Sequence, residues 1–461
     1  MQQIDINNPY DGTIVGNIKL TNEPQIELAL SKAHELHQKN RQGLETHLRI
    51  EILKKASNIM RSRVDELAHM IAAEGGKPLI DAKVEVDRAV DGVDTCAAEI
   101  GHNNGKEIPM NLTSAATGKV AFTTREPIGP VLAISAFNHP LNLIVHQVAP
   151  AVAAGCPVIV KPAEDTPLSC LAFINILHEA GLPEDWAQFV YCDTELAQKL
   201  VTDSRISFFS FIGSARVGWK LRSLLAPGTR LALEHGGAAP VIVGATANNA
   251  ALIPKIIKGG FYHSGQVCVS VQRVFALGGQ AGDLAEQLGE AAKKLIVGNA
   301  IEEDTECGPL IRNKEVNRVS NWVDEAIAAG AKLISGGKKL SESCYAPTVL
   351  LNPPSNARVS TDEIFGPVIC IYESSNLEQA IEHANSLPFA FQAAVFSNDF
   401  TEIMKAYHEL DASAVMINEH TAFRVDWMPF AGRRQSGYGI GGIGYTLEDM
   451  TQLKMGVLSS E

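Results

Sequence analysis

The composition of the chain is that of an ordinary globular protein with too little positive charge for polyanionic partners. Its 461 residues are 46% hydrophobic and 20% charged, which is enough for two or three packed domains. The formal net charge of -13 argues against nucleic acid or an anionic membrane surface as a partner, since binding either requires a basic excess. We therefore expect any anionic ligand to be held by locally placed groups.

The cysteine pattern and the apolar runs narrow the class further. The eight cysteines have neither the paired spacing of a zinc site nor the framework of a disulfide-rich protein, which predicts reduced thiols in a cytoplasmic protein. The first residues lack a signal segment, and the apolar runs are broken before the ~18 residues that a membrane span needs. The sequence thus predicts no metal site, no secretion signal and no membrane span.

Hydrophobic periodicity predicts a helical N-terminal region followed by two α/β regions. Apolar residues recur with helical spacing from about 23 to 103, and residues 119–126 alternate as a strand, which we interpret as an arm. The first α/β region has predicted strands at 131–137, 158–160, 189–191 and 207–211 and helices at 141–154, 167–180 and 194–201. The second, from 240 to about 418, has predicted strands at 241–243 and 368–372 and helices at 281–295 and 317–329. Such alternation predicts parallel sheets covered on both faces.

Two residues in separate segments indicate thiol chemistry. Cys268 ends the segment Phe-Tyr-His-Ser-Gly-Gln-Val-Cys, and Glu234 lies upstream in Leu-Glu-His-Gly-Gly. A thiolate adds readily to an aldehyde carbon, and a nearby carboxylate can activate the water that hydrolyses the resulting thioester. A lone cysteine among small residues is more often a buried apolar filler, so this interpretation depends on the motifs around it.

The first α/β region has no Gly-x-Gly-x-x-Gly fingerprint but offers two candidate nucleotide contacts at strand ends. Lys161 and Glu164 follow the strand at 158–160, where they could bind a phosphate and ribose hydroxyls; a surface ion pair is the alternative. Gly213 and Ser214 follow a later strand and open a helix whose free N–H groups could bind a pyrophosphate. A plain serine-capped helix start is the alternative there.

The order and spacing of these motifs resemble the aldehyde dehydrogenase superfamily over nearly the whole chain. The resemblance implies that Cys268 is the nucleophile, that Glu234 is the general base, and that Asn138, in Ala-Phe-Asn-His-Pro-Leu, contacts the oxyanion. The Glu-x-Phe-Gly-Pro motif and a C-terminal signature, Pro-Phe-Ala-Gly followed by Ser-Gly-Tyr-Gly, are also present. The implied cofactor contacts are Lys161, Glu164, Gly213, Ser214, Glu363 and Phe365.

The resemblance also implies a fold and a domain organisation. The fold class is α/β and aldehyde dehydrogenase-like, with a Rossmann-type cofactor domain, an α/β catalytic domain and a small β oligomerisation arm. The implied cofactor domain comprises residues 1–111 and 128–235, and the catalytic domain comprises residues 236–427. The arm and C-terminal tail, 112–127 and 428–461, would complete a neighbour's sheet in a homodimer or homotetramer.

The implied reaction is NAD(P)-dependent oxidation of an aldehyde to the carboxylic acid. Glu234 favours hydrolysis, because relatives that pass the acyl group to coenzyme A generally lack this glutamate. Glu164 favours NAD, with NADP possible, because a carboxylate repels a 2′-phosphate. A coenzyme A-acylating enzyme and a non-catalytic structural protein on the same fold are the alternatives.

The segment 418–429 resembles that of the lactaldehyde, phosphonoacetaldehyde and succinate semialdehyde dehydrogenase branch. This likeness predicts a small polar aldehyde, a short hydroxy- or carboxy-aldehyde, as substrate. Val267 precedes the nucleophile where a phosphonate-handling relative carries an arginine, which weakens the phosphonate interpretation.

Several polar residues near the motifs have two interpretations each. Arg88 and Arg424 could reach an anionic substrate, but we expect Arg424 to pair with Asp426 and Arg88 to be a solvated or packing residue. His139 follows the oxyanion asparagine and could bind a polar substrate, although packing with satisfied nitrogens is favoured. His235 replaces an apolar residue, so the packing beside the general base differs from the family pattern.

Overall fold

The computed structural model describes residues 2–459, which begin with a hairpin and four helices. Asn22 caps the first helix by accepting from the backbone N–H of Gln25, and Gly76 ends the third in a left-handed conformation, with φ of 68°. The predicted helical region at 23–103 is therefore confirmed as separate helices. The elements are β1 (Gln3–Asn7), β2 (Ile14–Lys19), α1 (Glu23–Lys39), α2 (Thr46–Ser62), α3 (Val64–Gly75) and α4 (Leu79–Glu99).

The first large sheet has six strands in the order β19-β9-β8-β5-β6-β7. Its five consecutive strands from β9 to β7 are parallel, and β19 adds an antiparallel edge beside the end of β9. The strands are β5 (Val131–Ile134), β6 (Val158–Lys161), β7 (Ala187–Phe189), β8 (Phe208–Ile212), β9 (Arg230–Glu234) and β19 (Gly437–Tyr438). The helices between them are α5 (Asn142–Ala154), α6 (Leu168–Glu179), α7 (Thr194–Thr202) and α8 (Ala215–Arg222).

The second large sheet has seven strands in the order β12-β13-β14-β11-β10-β16-β17. All neighbouring strands are parallel except β12, which pairs antiparallel with β13. The strands are β10 (Ala239–Val243), β11 (Val271–Leu277), β12 (Lys332–Ser335), β13 (Thr348–Leu351), β14 (Val368–Ser374), β16 (Gln392–Phe396) and β17 (Ala414–Ile417). The helices are α9 (Asn249–Phe261), α10 (Ala281–Ala292), α11 (Asn313–Ala328), α12 (Arg358–Thr361), α13 (Leu377–Asn385) and α14 (Phe400–Glu409).

A three-stranded sheet, in the order β20-β4-β3, forms the predicted arm. The strands of this sheet are β3 (Glu107–Ile108), β4 (Lys119–Pro127) and β20 (Thr451–Ser459), and α15 (Ile443–Asp449) precedes β20. A separate two-stranded sheet pairs β15 (Phe389–Ala390) with β18 (Arg433–Arg434). The tail pairs with β4 of its own chain along nine residues, and β20 is an edge strand. Completion of a neighbour's sheet, the oligomeric state and the domain boundaries stay predictions.

The predicted elements exist, but several begin or end elsewhere. The strand expected at 131–137 ends at Ile134, because residues 135–138 leave the sheet at its carboxyl edge, and the strand expected at 189–191 is Ala187–Phe189. The helix expected at 281–295 ends at Ala292, and the one expected at 317–329 begins at Asn313. Apolar pattern alone does not fix where pairing with a neighbouring strand stops. No helix in residues 2–459 is long and apolar enough to cross a membrane.

A buried ion pair fixes the helix that follows the predicted oxyanion residue. Glu85 on α4 accepts from the backbone N–H groups of Leu141 and Asn142, each at 3.0 Å, and its other oxygen bonds the ammonium of Lys77. Both charged side chains are fully buried. The carboxylate thus caps α5, whose thirteen residues are all buried, and holds the turn that contains Asn138.

Removing one partner of this pair should destabilise the protein strongly. We expect Lys77→Met to lower the free energy of unfolding by about 3–5 kcal/mol, because it leaves a buried carboxylate without its counter-charge. The double variant Lys77→Met/Glu85→Gln should regain part of this loss, since the amide oxygen still accepts from the α5 N–H groups. Thermal melting measures both; Lys83→Met, which breaks an exposed pair with Asp65, is the control and should change little. Equal melting of all four proteins would contradict the expectation.

Candidate active site

The loop before β11 presents Cys268 through an unusual backbone conformation. His263 and Ser264 have φ of 47° and 55°, and Gly265 continues with 71°. Left-handed conformations at non-glycine residues cost about 1–3 kcal/mol each, so the surroundings must impose them. Ser264 Oγ donates to the carbonyl of Gly308 at 2.6 Å, which anchors the loop to a neighbouring segment. The loop is therefore fixed before the chain reaches the thiol.

Cys268 differs from the other seven cysteines in its exposure. It is half-buried, whereas the other seven are buried, and it lines a cavity of about 730 Å³. Burial raises the pKa of its thiol well above the usual value, the negative charge of Glu234 adds to this, and Arg424 opposes it. The thiol is therefore neutral in this state and needs a proton acceptor to become a nucleophile.

Glu234 provides that acceptor at the end of β9. Its Oε1 lies 3.9 Å from Cys268 Sγ, although the two residues belong to different sheets. Burial raises the pKa of Glu234 to about 7, while Arg424 and Cys268 act in the opposite direction. A carboxyl with a pKa near neutrality can both take up and release a proton at working pH. The structure thus brings together the two residues that the sequence singled out first.

Asn138 lies on the same side of the cavity, in the turn after β5. Its Nδ2 donates to the carbonyl of Gln266, two residues before Cys268, at 2.9 Å, and both Asn138 and Cys268 line the cavity. An amide nitrogen carries two hydrogens, so one remains for an oxygen bound beside the thiol. The bond to Gln266 fixes the amide relative to the nucleophile loop.

All six predicted cofactor residues line the same cavity: Lys161, Glu164, Gly213, Ser214, Glu363 and Phe365. Ser214 is the N-cap residue of α8, as the alternative interpretation placed it, but its side chain makes no capping hydrogen bond to the helix. Glu164 lies 3.5 Å from Arg312, which pairs more closely with Asp165, so the alternative of a surface ion pair describes part of its surroundings.

One group in the cavity wall fits a hydroxyl of a dinucleotide. Glu363 Oε1 is buried and has no hydrogen-bond partner among the described residues, so it is free to bond a ligand hydroxyl, and burial raises the pKa of this carboxyl to about 8. Gly236 lies against the same group, because a Cβ there would come within 1.6 Å of Glu363 Oε1. The residues present therefore fit NAD or NADP.

The arginines at the other end of the cavity differ from the sequence expectation. Asp426 pairs with Arg88, through Nη2 at 2.8 Å and Nε at 3.0 Å, and not with Arg424. The guanidinium of Arg424 instead lies 3.5 Å above the ring of Phe430. The expectation of an Arg424–Asp426 pair is wrong because Asp426 faces α4 and α5, away from its sequence neighbour.

Some residues of the site had no predicted role, and others had two interpretations. Lys258 and Tyr262 line the cavity, and Lys258 pairs with Asp81 from α4. Lys258 carried no sequence signal, since only the folded chain brings it to Asp81, and Tyr262 stands in the segment that leads to Cys268 but had no role assigned. His139 lies 3.4 Å from the Tyr262 hydroxyl, and burial lowers its pKa well below the usual value, so it is neutral. His235 packs between Phe211 and Trp219 and donates from Nδ1 to the carbonyl of Gly213.

Comparison with known proteins identifies the family. A sequence model of the aldehyde dehydrogenase family matches residues 1–455. The chain belongs to this family. It is 34% identical to the 3-sulfolactaldehyde dehydrogenase of Priestia aryabhattai over 99% of this chain and 95% of the relative. These findings confirm the resemblance and, with it, the enzyme class, an NAD(P)-dependent aldehyde dehydrogenase.

Solved structures of aldehyde dehydrogenases share the fold. Aldehyde dehydrogenase 21 of Physcomitrella patens, in complex with the reaction product succinate, superposes with a TM-score of 0.95 at 32% identity, covering 99% of this chain and 95% of that one. Glyceraldehyde-3-phosphate dehydrogenase of Methanocaldococcus jannaschii, complexed with NADP, has a TM-score of 0.94 at 31% identity and covers 99% of both chains. The predicted fold class and the predicted cofactor class, NAD with NADP possible, are confirmed.

Thiol labelling should report the charges around Cys268. We expect iodoacetamide to modify Cys268 first, since the other seven thiols are buried. Glu234→Gln should speed the reaction severalfold at neutral pH, because removing the negative neighbour lowers the thiol pKa. Arg424→Met should slow it for the opposite reason. Peptide mass spectrometry over time measures the rates, and Cys268→Ser is the control. Labelling of another cysteine before Cys268, or the same rate for the unmodified protein and both variants, would contradict the expectation.

Proposed function

We propose that the chain oxidises a short polar aldehyde to its carboxylic acid, with Cys268 as nucleophile and Glu234 as general base. The observation that carries the proposal is the 3.9 Å separation of Sγ and Oε1 in a cavity that Asn138 also lines. Glu234 takes the thiol proton as Sγ bonds to the aldehyde carbon. The Asn138 amide and the Cys268 backbone N–H stabilise the oxyanion, a contact worth ~10²–10³ in rate.

The second half of the reaction uses the same carboxyl again. NAD(P), when bound, supplies the acceptor for the hydride that leaves the aldehyde carbon. Glu234 has by then released its proton to solvent and takes one from a water that attacks the thioester. The carboxylic acid leaves and the Cys268 thiol is restored. This role needs Glu234 deprotonated, so its pKa of about 7 supports turnover that falls as pH drops through neutrality.

The cofactor end supports NAD as the preferred partner. Glu164 is half exposed at the cavity wall beyond β6, where its carboxylate would accept from a ribose diol. A 2′-phosphate there would meet this negative charge, although Arg312 lies 3.5 Å away and reduces the repulsion. NAD is therefore the first choice and NADP the second. In this proposal the cofactor domain, residues 1–111 and 128–235, binds most of the cofactor, and the catalytic domain, residues 236–427, contributes the nucleophile together with the cofactor contacts Glu363 and Phe365.

Arg424 supports an anionic group on the substrate. It is partly buried, its buried Nε has no hydrogen-bond partner among the described residues, and it lines the cavity that Cys268 also lines. A cation held partly away from water without an ion-paired anion is costly, so a ligand that brings a negative charge gains from meeting it. The guanidinium lies 3.5 Å from the centroid of the Phe430 ring, and both side chains line the cavity. A short aldehyde with a terminal anion fits this arrangement.

The variant Glu234→Gln tests the hydrolytic mechanism. We expect a single burst of NADH, about one per active site, followed by turnover reduced ~10²–10⁴-fold. Without the negative charge of Glu234 the Cys268 thiol can lose its proton to solvent, so the thioester still forms, but no group activates the water that hydrolyses it. Stopped-flow absorbance at the NADH band measures burst and steady state. Added coenzyme A should not restore turnover; restoration would favour an acylating enzyme instead. Absence of NADH from the unmodified protein with every aldehyde would favour the structural-protein alternative.

The variant Arg424→Met tests the anionic substrate. We expect kcat/KM for a short carboxylate- or sulfonate-bearing aldehyde to fall ~10²-fold, because a buried charge pair is lost. An uncharged aldehyde of the same length should lose far less. Arg433→Met, which removes an exposed arginine paired with Asp411, is the matched control and should leave both rates unchanged. Equal losses for charged and uncharged aldehydes would remove the support for an anionic substrate.

A further inference from the structure

Three cationic side chains line the substrate end of the cavity: Arg88, Lys258 and Arg424. Two of them are paired. Lys258 meets the buried carboxylate of Asp81, and Arg88 forms a two-point ion pair with Asp426. Arg424 has a ring and no carboxylate as its close neighbour. The three cations therefore differ in the charge that they offer to a ligand.

Asp426 is the most heavily bonded carboxylate at this end. It is only 2% exposed and accepts from Arg88 twice, from Asn142 Nδ2 at 3.0 Å and from His146 Nε2 at 2.7 Å. These donors hold its pKa far below the usual range, so it stays charged. It lies behind Arg88, which lines the cavity while Asp426 does not. The negative charge of Asp426 is thus held next to Arg88, and Arg88 is the member of the pair that lines the cavity.

The remaining titratable groups nearby do not change the balance. His139 is neutral because burial lowers its pKa, and His146 is likewise disfavoured as a cation by burial. Glu234, with a pKa of about 7, is largely ionised at pH 8, and it is the leading negative charge that acts on Arg424. Glu234 makes no hydrogen bond to Arg424 Nε, however, so it would add to the repulsion of a highly charged ligand without pairing with this guanidinium. The charges of Arg88 and Asp426 act on Arg424 with opposite signs.

We propose that Asp426 is a specificity-determining residue that neutralises Arg88 and thereby leaves a single guanidinium, that of Arg424, without an ion-paired carboxylate among the described residues and open to the substrate. The site then selects aldehydes with a single negative charge, carboxylates or sulfonates, over those with a doubly charged phosphonate or phosphate. This inference rests on the proposed function. A dianion would bring one charge more than the site balances, and burying an unbalanced charge is costly.

Family membership does not decide this point. Relatives of similar identity are named for a sulfonate-bearing and a phosphate-bearing aldehyde, and one solved structure holds succinate. Two charge states of the substrate are therefore compatible with the same fold and nucleophile. In the present proposal, the Asp426–Arg88 pair selects between the two charge states in this chain.

The test is a charge cycle at Asp426 and Arg88. Asp426→Asn adds one positive charge to the site at constant shape, Arg88→Gln removes one, and the double variant restores the original balance. Arg88→Lys keeps the charge and is the matched control. Each protein is assayed at pH 8, with saturating cofactor, on succinate semialdehyde, its sulfonate and phosphonate analogues with the same spacer, and butanal. The readout is the ratio of kcat/KM between the phosphonate and the two monoanions.

We expect the unmodified protein to prefer both monoanions to the phosphonate. Asp426→Asn should raise the phosphonate-to-monoanion ratio on the order of tenfold, the effect of one charge several ångströms away. Arg88→Gln should lower kcat/KM of every anion relative to butanal, most of all that of the phosphonate. The double variant and Arg88→Lys should return the ratio towards its original value.

Other outcomes have definite meanings. A ratio that stays constant across the cycle, or rates that fall alike for all four aldehydes, would overturn the inference and make Asp426 purely structural. A phosphonate preference in the unmodified protein would overturn it as well. If Asp426→Asn does not fold by circular dichroism, the opposite shift expected of Arg88→Gln still decides. Failure of the proposed function is distinct, because no aldehyde would then yield NADH with the unmodified protein.

Discussion

The closeness of Cys268 and Glu234 is the constraint on which the rest of the site depends. Glu234 ends β9 of the first sheet, whereas Cys268 lies before β11 of the second, so the two sheets must keep a fixed relation for Sγ and Oε1 to lie 3.9 Å apart. Each group then sets the proton affinity of the other. A shift of a few ångströms between the sheets would separate proton acceptor from nucleophile, since proton transfer requires hydrogen-bond reach.

Several features that reduce stability hold Cys268 and Asn138 in position. The left-handed backbone at His263 and Ser264 is held by the bond of Ser264 to Gly308, and the turn that contains Asn138 is held by Glu85 at the start of α5. Backbone strain and buried ions both reduce stability when taken alone. They persist here because close packing on all sides leaves the loop and the turn no alternative position.

At the proposed substrate end of the cavity, most cationic side chains are paired with carboxylates. Arg88 is mostly buried and Lys258 is about half exposed, and each pairs with a carboxylate of the chain, Asp426 and Asp81 respectively. Arg424 is the exception, since a ring takes the place of the acid. Arg424 also lowers the pKa of Cys268. In the proposed function, the residue that favours an anionic substrate would therefore also favour the thiolate of the nucleophile.

The sequence by itself determined the α/β class and the family, and it indicated the candidate residues of the proposed reaction. The motifs around Cys268, Glu234 and Asn138 are short runs of residues, so they can be recognised in the sequence without a structure. Tertiary structure alone decided that Asp426 faces Arg88 and not Arg424, and that Lys258 reaches the cavity. These pairings join α4, α5, α9 and the 418–428 loop, and long-range packing leaves no periodic trace in any one segment. Proximity in sequence predicted that Asp426 pairs with Arg424. That partner is wrong, because Asp426 is buried against α4 and α5 and pairs there with Arg88.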